Sequence, residues 1–301
     1  MKISGRSFTS FLMETVFKFI PLRDRRDEDN FNKSLQTSNA PYILPEKYRV
    51  KYEVEEYEGF TDTFVIYPEN NSSDLFIFYL HGGGYWSQPL SFHFKFFKNV
   101  SKELNANFIL PVYPKAPSYH AIDVHKMIME RYLYLIHDKG VSAENIILMG
   151  ESAGGGLALS FLQVLRDQGL PLPKQAILIS PWLDVTNTNP AMIDIQPYDP
   201  LLNIESLGYG GIIYAGDLDP KDPLVSPIYG DLERLPPITL FSGTHDILHA
   251  DILKYSKIAT EKRWDVTLYT YEKMNHCFVG FPIPEGKEAL GIISNIIRGN
   301  K

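Results

Sequence analysis

Cysteine is nearly absent from this chain: Cys277 stands alone among 301 residues. A bridge needs two thiols, so no internal disulfide framework supports the fold, and nothing about it requires an oxidising compartment. Long apolar runs are missing too. No stretch approaches about 18 consecutive apolar residues, which leaves no candidate for a membrane-crossing helix. Positive charge is in deficit, because 29 Lys and Arg against 36 Asp and Glu give a net charge of −7. That balance favours solubility and argues against nucleic acid or an anionic membrane as a partner. Internal repeats and low-complexity tracts are also lacking, which removes repeat arrays from consideration.

What is present suits an ordinary globular enzyme. Apolar residues make up 44% and charged residues 22%, enough for a sizeable core. The length fits one large α/β domain or two small ones. Near the N-terminus, Lys2 and Arg6 precede Phe8, Phe11, Leu12, Val16, Phe17, Phe19 and Ile20. Glu14 and Lys18 interrupt this stretch, so it does not read as a secretory signal. The spacing 8, 11/12, 16, 19/20 predicts instead a helix over 8–20, stopped by Pro21, with its apolar stripe packed on its own protein. An interfacial membrane helix is the alternative. The default expectation is a cytoplasmic protein with no stable membrane insertion.

Beyond the mixed-charge stretch at 23–29, read as a solvated connector, the pattern changes. Residues 48–58 and 61–67 alternate like half-exposed strands. Short, nearly continuous apolar runs follow at 75–80, 108–113, 146–149, 176–179, 238–241 and 266–271, as strands covered on both faces require. Helical patterns lie between them at 92–104, 121–137, 153–166, 252–262 and 287–298. The alternation predicts one mainly parallel sheet with helices on both sides, extended by the first two strands as an antiparallel edge. Residues 184–225, rich in Pro, Asn, Asp and Gly with room for one short helix, form a connection long enough to suggest function.

The chemistry starts from Gly150–Gly154, the pattern G-x-S-x-G, placed where a strand meets a helix. So tight a turn admits only small neighbours and pushes the Ser152 hydroxyl over the sheet edge. A serine hydroxyl needs a base, and in this chain order the base follows the acid. Of eight histidines, His249 lies too near Asp246 to swing across to it, and His276 follows the last strand on a free loop. Asp246, directly after a strand, is the favoured acid, with Asp184 its rival. His245 and His249, four apart, do not read as a metal pair, because no glutamate follows the first as a zinc protease would require. Cys277 reads as a small filler. The three glycines of HGGG (81–84) then gain a purpose. Bare backbone at Gly83 and Gly84, with the N–H of Ala153, would meet the negative charge that builds on an attacked carbonyl oxygen.

Taken together, HGGGY, GESAGG, SPWLD, DPLVSP, GTHDILHAD and MNHCF resemble, in order, the motifs of the hormone-sensitive-lipase-like family of α/β-hydrolase esterases. The resemblance runs from about residue 74 to the C-terminus. It implies an α/β-hydrolase fold with a mainly parallel eight-stranded sheet flanked by helices. It also implies a helical cap made of 1–45 and part of 184–225 over a core of 46–301. It further implies a triad of Ser152, Asp246 and His276, with Gly83, Gly84 and Ala153 as the oxyanion hole. Two departures stand out: the family's Y-R-L-A-P-E is Y-P-K-A-P-S at 113–118, and Glu151 replaces a common aspartate. The expected function is a serine carboxylesterase acting on short-chain esters, with a small-molecule ester as substrate and neither cofactor nor metal. An amidase or small-peptide hydrolase is the alternative. A non-catalytic small-molecule receptor is a third reading, against which the presence of His276 argues. Oligomeric state stays open, a homodimer among the options.

Overall fold

A computed structural model describes residues 1–3, 5–19, 32, 33, 36, 40–69 and 73–299. Ile20, the expected helix stop at Pro21 and the connector at 23–29 lie outside the described residues. The sheet has nine strands in the order β1-β9-β8-β7-β6-β4-β5-β3-β2. In chain order these are β1 (Lys2–Ile3), β2 (Val54–Tyr57), β3 (Phe60–Ile66), β4 (Phe76–Leu80), β5 (Asn107–Pro111), β6 (Ile146–Glu151), β7 (Gln175–Ile179), β8 (Ile238–Gly243) and β9 (Val266–Tyr271). β2 and β3 form the expected antiparallel edge, and the rest run parallel.

Alternation along the central strands divides the core. Phe78, Leu80, Leu148 and Leu178 point to one face, while Ile77, Tyr79, Met149 and Ile177 point to the other. Helices α4 (Ala121–His137), α5 (Ala153–Asp167) and α8 (His249–Lys262) pack on the first face, and α3 (Ser91–Leu104) and α9 (Pro284–Arg298) on the second. A parallel strand buried on both faces needs apolar residues throughout, which is why these runs show no polar face. β4 lies between β5 and β6, so the chain reverses its direction of travel across the sheet there. Crevices outside the carboxyl ends of strands open at such points.

Four expectations need correction. The ninth strand, β1, pairs Lys2 with Thr270 and Ile3 with Tyr271 at the far edge, and two residues carry no periodicity to reveal it. Residues 46–52 are helix α2 (Glu46–Tyr52) and not strand: Tyr48 and Tyr52, four apart, stack at 6.2 Å, and Tyr48 lies flat on Phe94 at 5.6 Å. The 184–225 connection holds two helices, α6 (Ala191–Ile195) and α7 (Ile204–Ala215), the latter capped by the Asn203 side chain accepting Ser206 N–H. Finally, α1 (Phe8–Phe19) is turned opposite to its apolar stripe. Ser10 and Glu14 are buried, whereas Phe8 and Phe19 are 77% and 84% exposed and Phe11, Leu12 and Val16 about half exposed. Its inward face carries the hydrogen-bonded Ser10 and Glu14 beside only two apolar side chains, Met13 on the core and Phe17 on Phe281.

Candidate active site

Ser152 occupies the single-residue turn between β6 and α5, with φ 53° and ψ −125°, a region that residues with a side chain avoid. The strain is held in place by its surroundings. Ser152 N–H donates to Ile179 O at 2.9 Å, and its carbonyl accepts from Gly155, Gly156 and Trp182. A Cβ at Gly150 would lie 2.3 Å from the Gly154 oxygen, and one at Gly154 would lie 2.0 Å from the Leu80 oxygen. Only glycine lets helix and strand approach this closely.

Leu80 pairs with Gly150 in the sheet, so the turn leaving β4 runs beside this elbow. Gly83 and Gly84 take φ values of 115° and 65°, conformations that a Cβ disfavours. Ser87 and Trp86 N–H close the turn on Gly83 O at 2.9 and 3.2 Å. The N–H groups of Gly83 and Gly84 have no acceptor among the described residues, and Ala153, first in its helix, can have none within it. Tyr85 stacks on Tyr214 of α7 with centroids 3.6 Å apart, which seats the 184–225 connection on this turn. The departing motif serves as its backing: Tyr113 donates to His81 O at 2.6 Å and stacks on the His81 ring, and Ala116 N–H donates to Tyr85 O. Lys115 is buried, donates to the Tyr113 carbonyl, and is held well below the usual lysine range by loss of solvent.

Glu151 accepts Gly82 N–H at 3.4 Å and His93 Nε2–H at 2.8 Å, while His93 Nδ1 accepts Leu90 N–H at 2.8 Å. A chain of hydrogen bonds thus ties the glycine turn, the elbow and the start of α3 together. Glu151 is buried, which favours its neutral form, but His93 and Gly82 N–H outweigh burial and lower its pKa.

On the other side of Ser152, β8 and β9 are paired as far as Gly243 and Tyr271. Thr244 N–H to Tyr271 O and His245 N–H to Met274 O, both 3.0 Å, continue the zipper past the sheet. The two loops therefore meet at their tips: His276 Nδ1–H donates to Asp246 Oδ2 at 2.9 Å. Asp246 is fully buried, and its other oxygen accepts Leu248 N–H at 2.9 Å. This places the His276 proton on Nδ1 and frees Nε2. Burial disfavours the imidazolium, but the adjoining Cys277 sulfur and the Asp246 carboxylate favour it, and the balance raises His276 well above the ordinary histidine range. Ser152 and His276 line one cleft, and no hydrogen bond joins them in this structure; bonds of this kind often tighten only around substrate.

The rival acid is engaged elsewhere. Asp184 accepts from Thr186 N–H and Oγ1 on one oxygen and from Tyr229 OH, at 2.6 Å, on the other, so it braces its own connection. His249 bonds Ser242, and among the described residues no group of three His, Cys, Asp or Glu could hold a metal ion. Cys277 lines the cleft, but burial pushes its thiol up to about 11, which keeps it protonated and unreactive.

Two carboxylates were not anticipated. Asp199 is fully buried, accepts the N–H groups of Leu201, Leu202 and Ile247, and is pushed up to about 6 by burial and by the Asp246 charge. An aspartate bonding backbone two residues ahead was the available signal. Glu14 gave little: its pair with Lys18 is an ordinary i,i+4 contact, and the partners that set its role, His245 and Asn275, lie more than two hundred residues away.

The cleft measures about 430 Å³. Phe17 of α1, Trp86, Leu90, Leu201, Leu202 and Leu207 supply its apolar wall, and Phe17 meets Phe281 at 5.4 Å. An apolar, covered cleft with a few convergent polar groups is the usual form of a small-molecule site.

A family model described as alpha/beta hydrolase fold matches residues 77–280. The chain is 32% identical over 226 residues to an esterase of Acinetobacter venetianus, covering 74% of each, and 29% identical over 231 residues to an acetyl-hydrolase of Streptomyces hygroscopicus, covering 74% of this chain and 75% of that one. Among solved structures it resembles EstE5, soaked with p-nitrophenyl butyrate, with a TM-score of 0.84 and 26% identity over 98% of this chain and 99% of that one. It also resembles an esterase from the bacterial hormone-sensitive lipase family, with a TM-score of 0.77 and 26% identity over 93% and 98%.

Proposed function

Given that the chain belongs to the hormone-sensitive-lipase-like α/β-hydrolases and is a carboxylic ester hydrolase, we propose that it cleaves short-chain esters with Ser152, His276 and Asp246 as its triad. The observation that carries this reading is the 2.9 Å bond from His276 to the buried Asp246, in a cleft shared with Ser152 and the glycine turn.

The reaction follows from that geometry. Ser152 Oγ attacks the ester carbonyl carbon while its proton passes to His276 Nε2. The carbonyl oxygen becomes an oxyanion, met by the N–H groups of Gly83, Gly84 and Ala153. Collapse breaks the bond to the alcohol, which leaves with the proton from His276. Water then gives a proton to Nε2 as it attacks the acyl carbon; collapse breaks the bond to Ser152 Oγ, which takes that proton back from Nε2 as the acid leaves. No cofactor enters any step.

Residues 1–45 and 184–225 act as the cap: Phe17 from one and Leu201, Leu202 and Leu207 from the other bound the apolar wall. A small bounded cleft supports short acyl chains, about two to eight carbons, over long triglycerides. The test is a series of p-nitrophenyl esters from acetate to palmitate, with matching anilides. A maximum of kcat/KM at butyrate or hexanoate is expected, with anilides slower by orders of magnitude. A maximum at palmitate, or anilides cleaved as fast as esters, would overturn the substrate class.

A further inference from the structure

The buried face of α1 is its polar one. Ser7, Ser10 and Glu14 are three and four residues apart, hence on one side of the helix. Ser7 N–H, Ser7 Oγ and Ser10 Oγ all donate to the Glu285 carboxylate at the start of α9, which anchors the first turn. One turn on, Glu14 Oε2 accepts from Arg6 Nη2 at 2.8 Å, from His245 Nδ1–H at 2.8 Å and from Asn275 Nδ2 at 3.3 Å. Its other oxygen pairs with Lys18 Nζ at 2.8 Å.

The identity of two of these partners matters. His245 immediately precedes Asp246, and Asn275 immediately precedes His276. One carboxylate from the N-terminal helix therefore grips both loops that carry the acid–base pair, one residue before each. The backbone zipper between these loops has ended by then, its last bond being His245 N–H to Met274 O. Beyond it the loops are held together by the His276–Asp246 bond and by Glu14. His245 is also clamped on its ring face, stacked on Tyr198 at 5.2 Å, so both covering segments converge on it. Burial alone would favour a neutral Glu14, but His245, Lys18 and Arg6 hold it down to about 2, so Glu14 accepts these bonds as a carboxylate at any working pH.

We propose that Glu14 is a positioning residue of the triad, a pin that fixes the separation of the Asp246 and His276 loops and makes the covering helix part of the machinery. This rests on the triad reading above. A displacement near 1 Å at a reacting group can cost about a hundredfold in rate, so the pin should act on kcat and not on KM.

Three variants test it. Glu14→Leu should lower kcat by about ten- to a hundredfold with KM for p-nitrophenyl acetate nearly unchanged, and should slow fluorophosphonate labelling of Ser152 in parallel. Glu14→Gln, which keeps the length and an accepting oxygen, should recover most of that loss. Ser10→Ala weakens the anchor on Glu285 without touching either loop; it should lower Tm and leave kcat alone. Should Glu14→Leu not fold, Asn275→Ala removes one arm of the pin from the loop side and should lower kcat in the same way. The proposal fails if folded Glu14→Leu or Asn275→Ala keeps wild-type kcat, or if Ser10→Ala loses as much kcat as Glu14→Leu, since the helix would then be a plain plug. Ser152→Ala in the same series separates the two claims: if it stays active the triad reading falls, whatever Glu14 does.

Discussion

Replacing Asp246 with Asn removes one charge and almost no volume, yet the structure predicts a near-total loss of activity. The reason is the second partner of this side chain. Asp246 Oδ1 accepts Leu248 N–H at 2.9 Å, while Oδ2 faces His276 Nδ1. In a fully buried amide one end must be the oxygen. Leu248 N–H can only donate, so the amide oxygen stays there and the NH₂ group turns to His276. Two donors then meet, and His276 relieves the conflict by moving its proton to Nε2, where it can no longer accept the serine proton. A wrong tautomer of this kind lowers kcat by about ten thousandfold, or about 5 kcal/mol of transition-state stabilisation. Asp184→Asn provides the contrast, because its oxygens serve Thr186 and Tyr229 and none reaches a histidine. It should cost about 1–3 kcal/mol of stability through its disturbed hydrogen bonds and little in kcat for the folded fraction. The assay is kcat/KM on p-nitrophenyl butyrate for both variants, alongside thermal denaturation. Asp246→Asn within tenfold of wild type, or Asp184→Asn as the more damaging change, would refute the reasoning.

Further consequences concern pH, the brace and the wall. Because His276 is raised above its ordinary value, it stays protonated, and so useless as a base, to a higher pH; the acid limb of kcat/KM should rise with pH and have its midpoint above the ordinary histidine value of about 6.5, and a flat profile from pH 5 to 8 would exclude a histidine base. His93→Leu strips the Nε2–H donor from the buried Glu151 carboxylate, which should cost about 2–3 kcal/mol of stability and lower kcat as the glycine turn loosens; an unchanged Tm would show that the brace carries nothing. Phe17→Ala opens the apolar wall on the α1 side, so the ratio of kcat/KM on decanoate to that on butyrate should rise several-fold, and an unchanged ratio would place the acyl chain elsewhere.

The turns around Ser152 and Gly82–Gly84 could be read from the sequence because each rests on local constraints. A glycine at 150 or 154 is demanded by backbone a few ångströms away, and the runs before them, with no polar face, announce buried parallel strands. The helix at 46–52 was hidden because Tyr48, Val50 and Tyr52 alternate as a strand would, and its stacking on Phe94 is a tertiary contact that periodicity does not record. The outward turn of α1 was hidden for a related reason. Counting apolar residues points Phe8, Phe11 and Phe19 inward, whereas the donors that draw Glu14 inward sit at 245 and 275 and the acceptor for Ser10 at 285. Asp199 fell in a stretch whose Pro and Asn content suggested only loop, and its tie to Ile247 emerges when that loop folds over the Asp246 turn. Local necessity is legible in a single sequence; polar pairing across two hundred residues is not.

The central claim is that Ser152 is the nucleophile of an acyl-enzyme. Intact-mass measurement after incubation with a fluorophosphonate tests it most directly. One adduct per chain, mapped to the peptide bearing Ser152, with activity lost in proportion and no adduct on Ser152→Ala, is the expected result. Full activity persisting without an adduct, or an adduct at Cys277 or another serine that tracks the loss, would contradict the account.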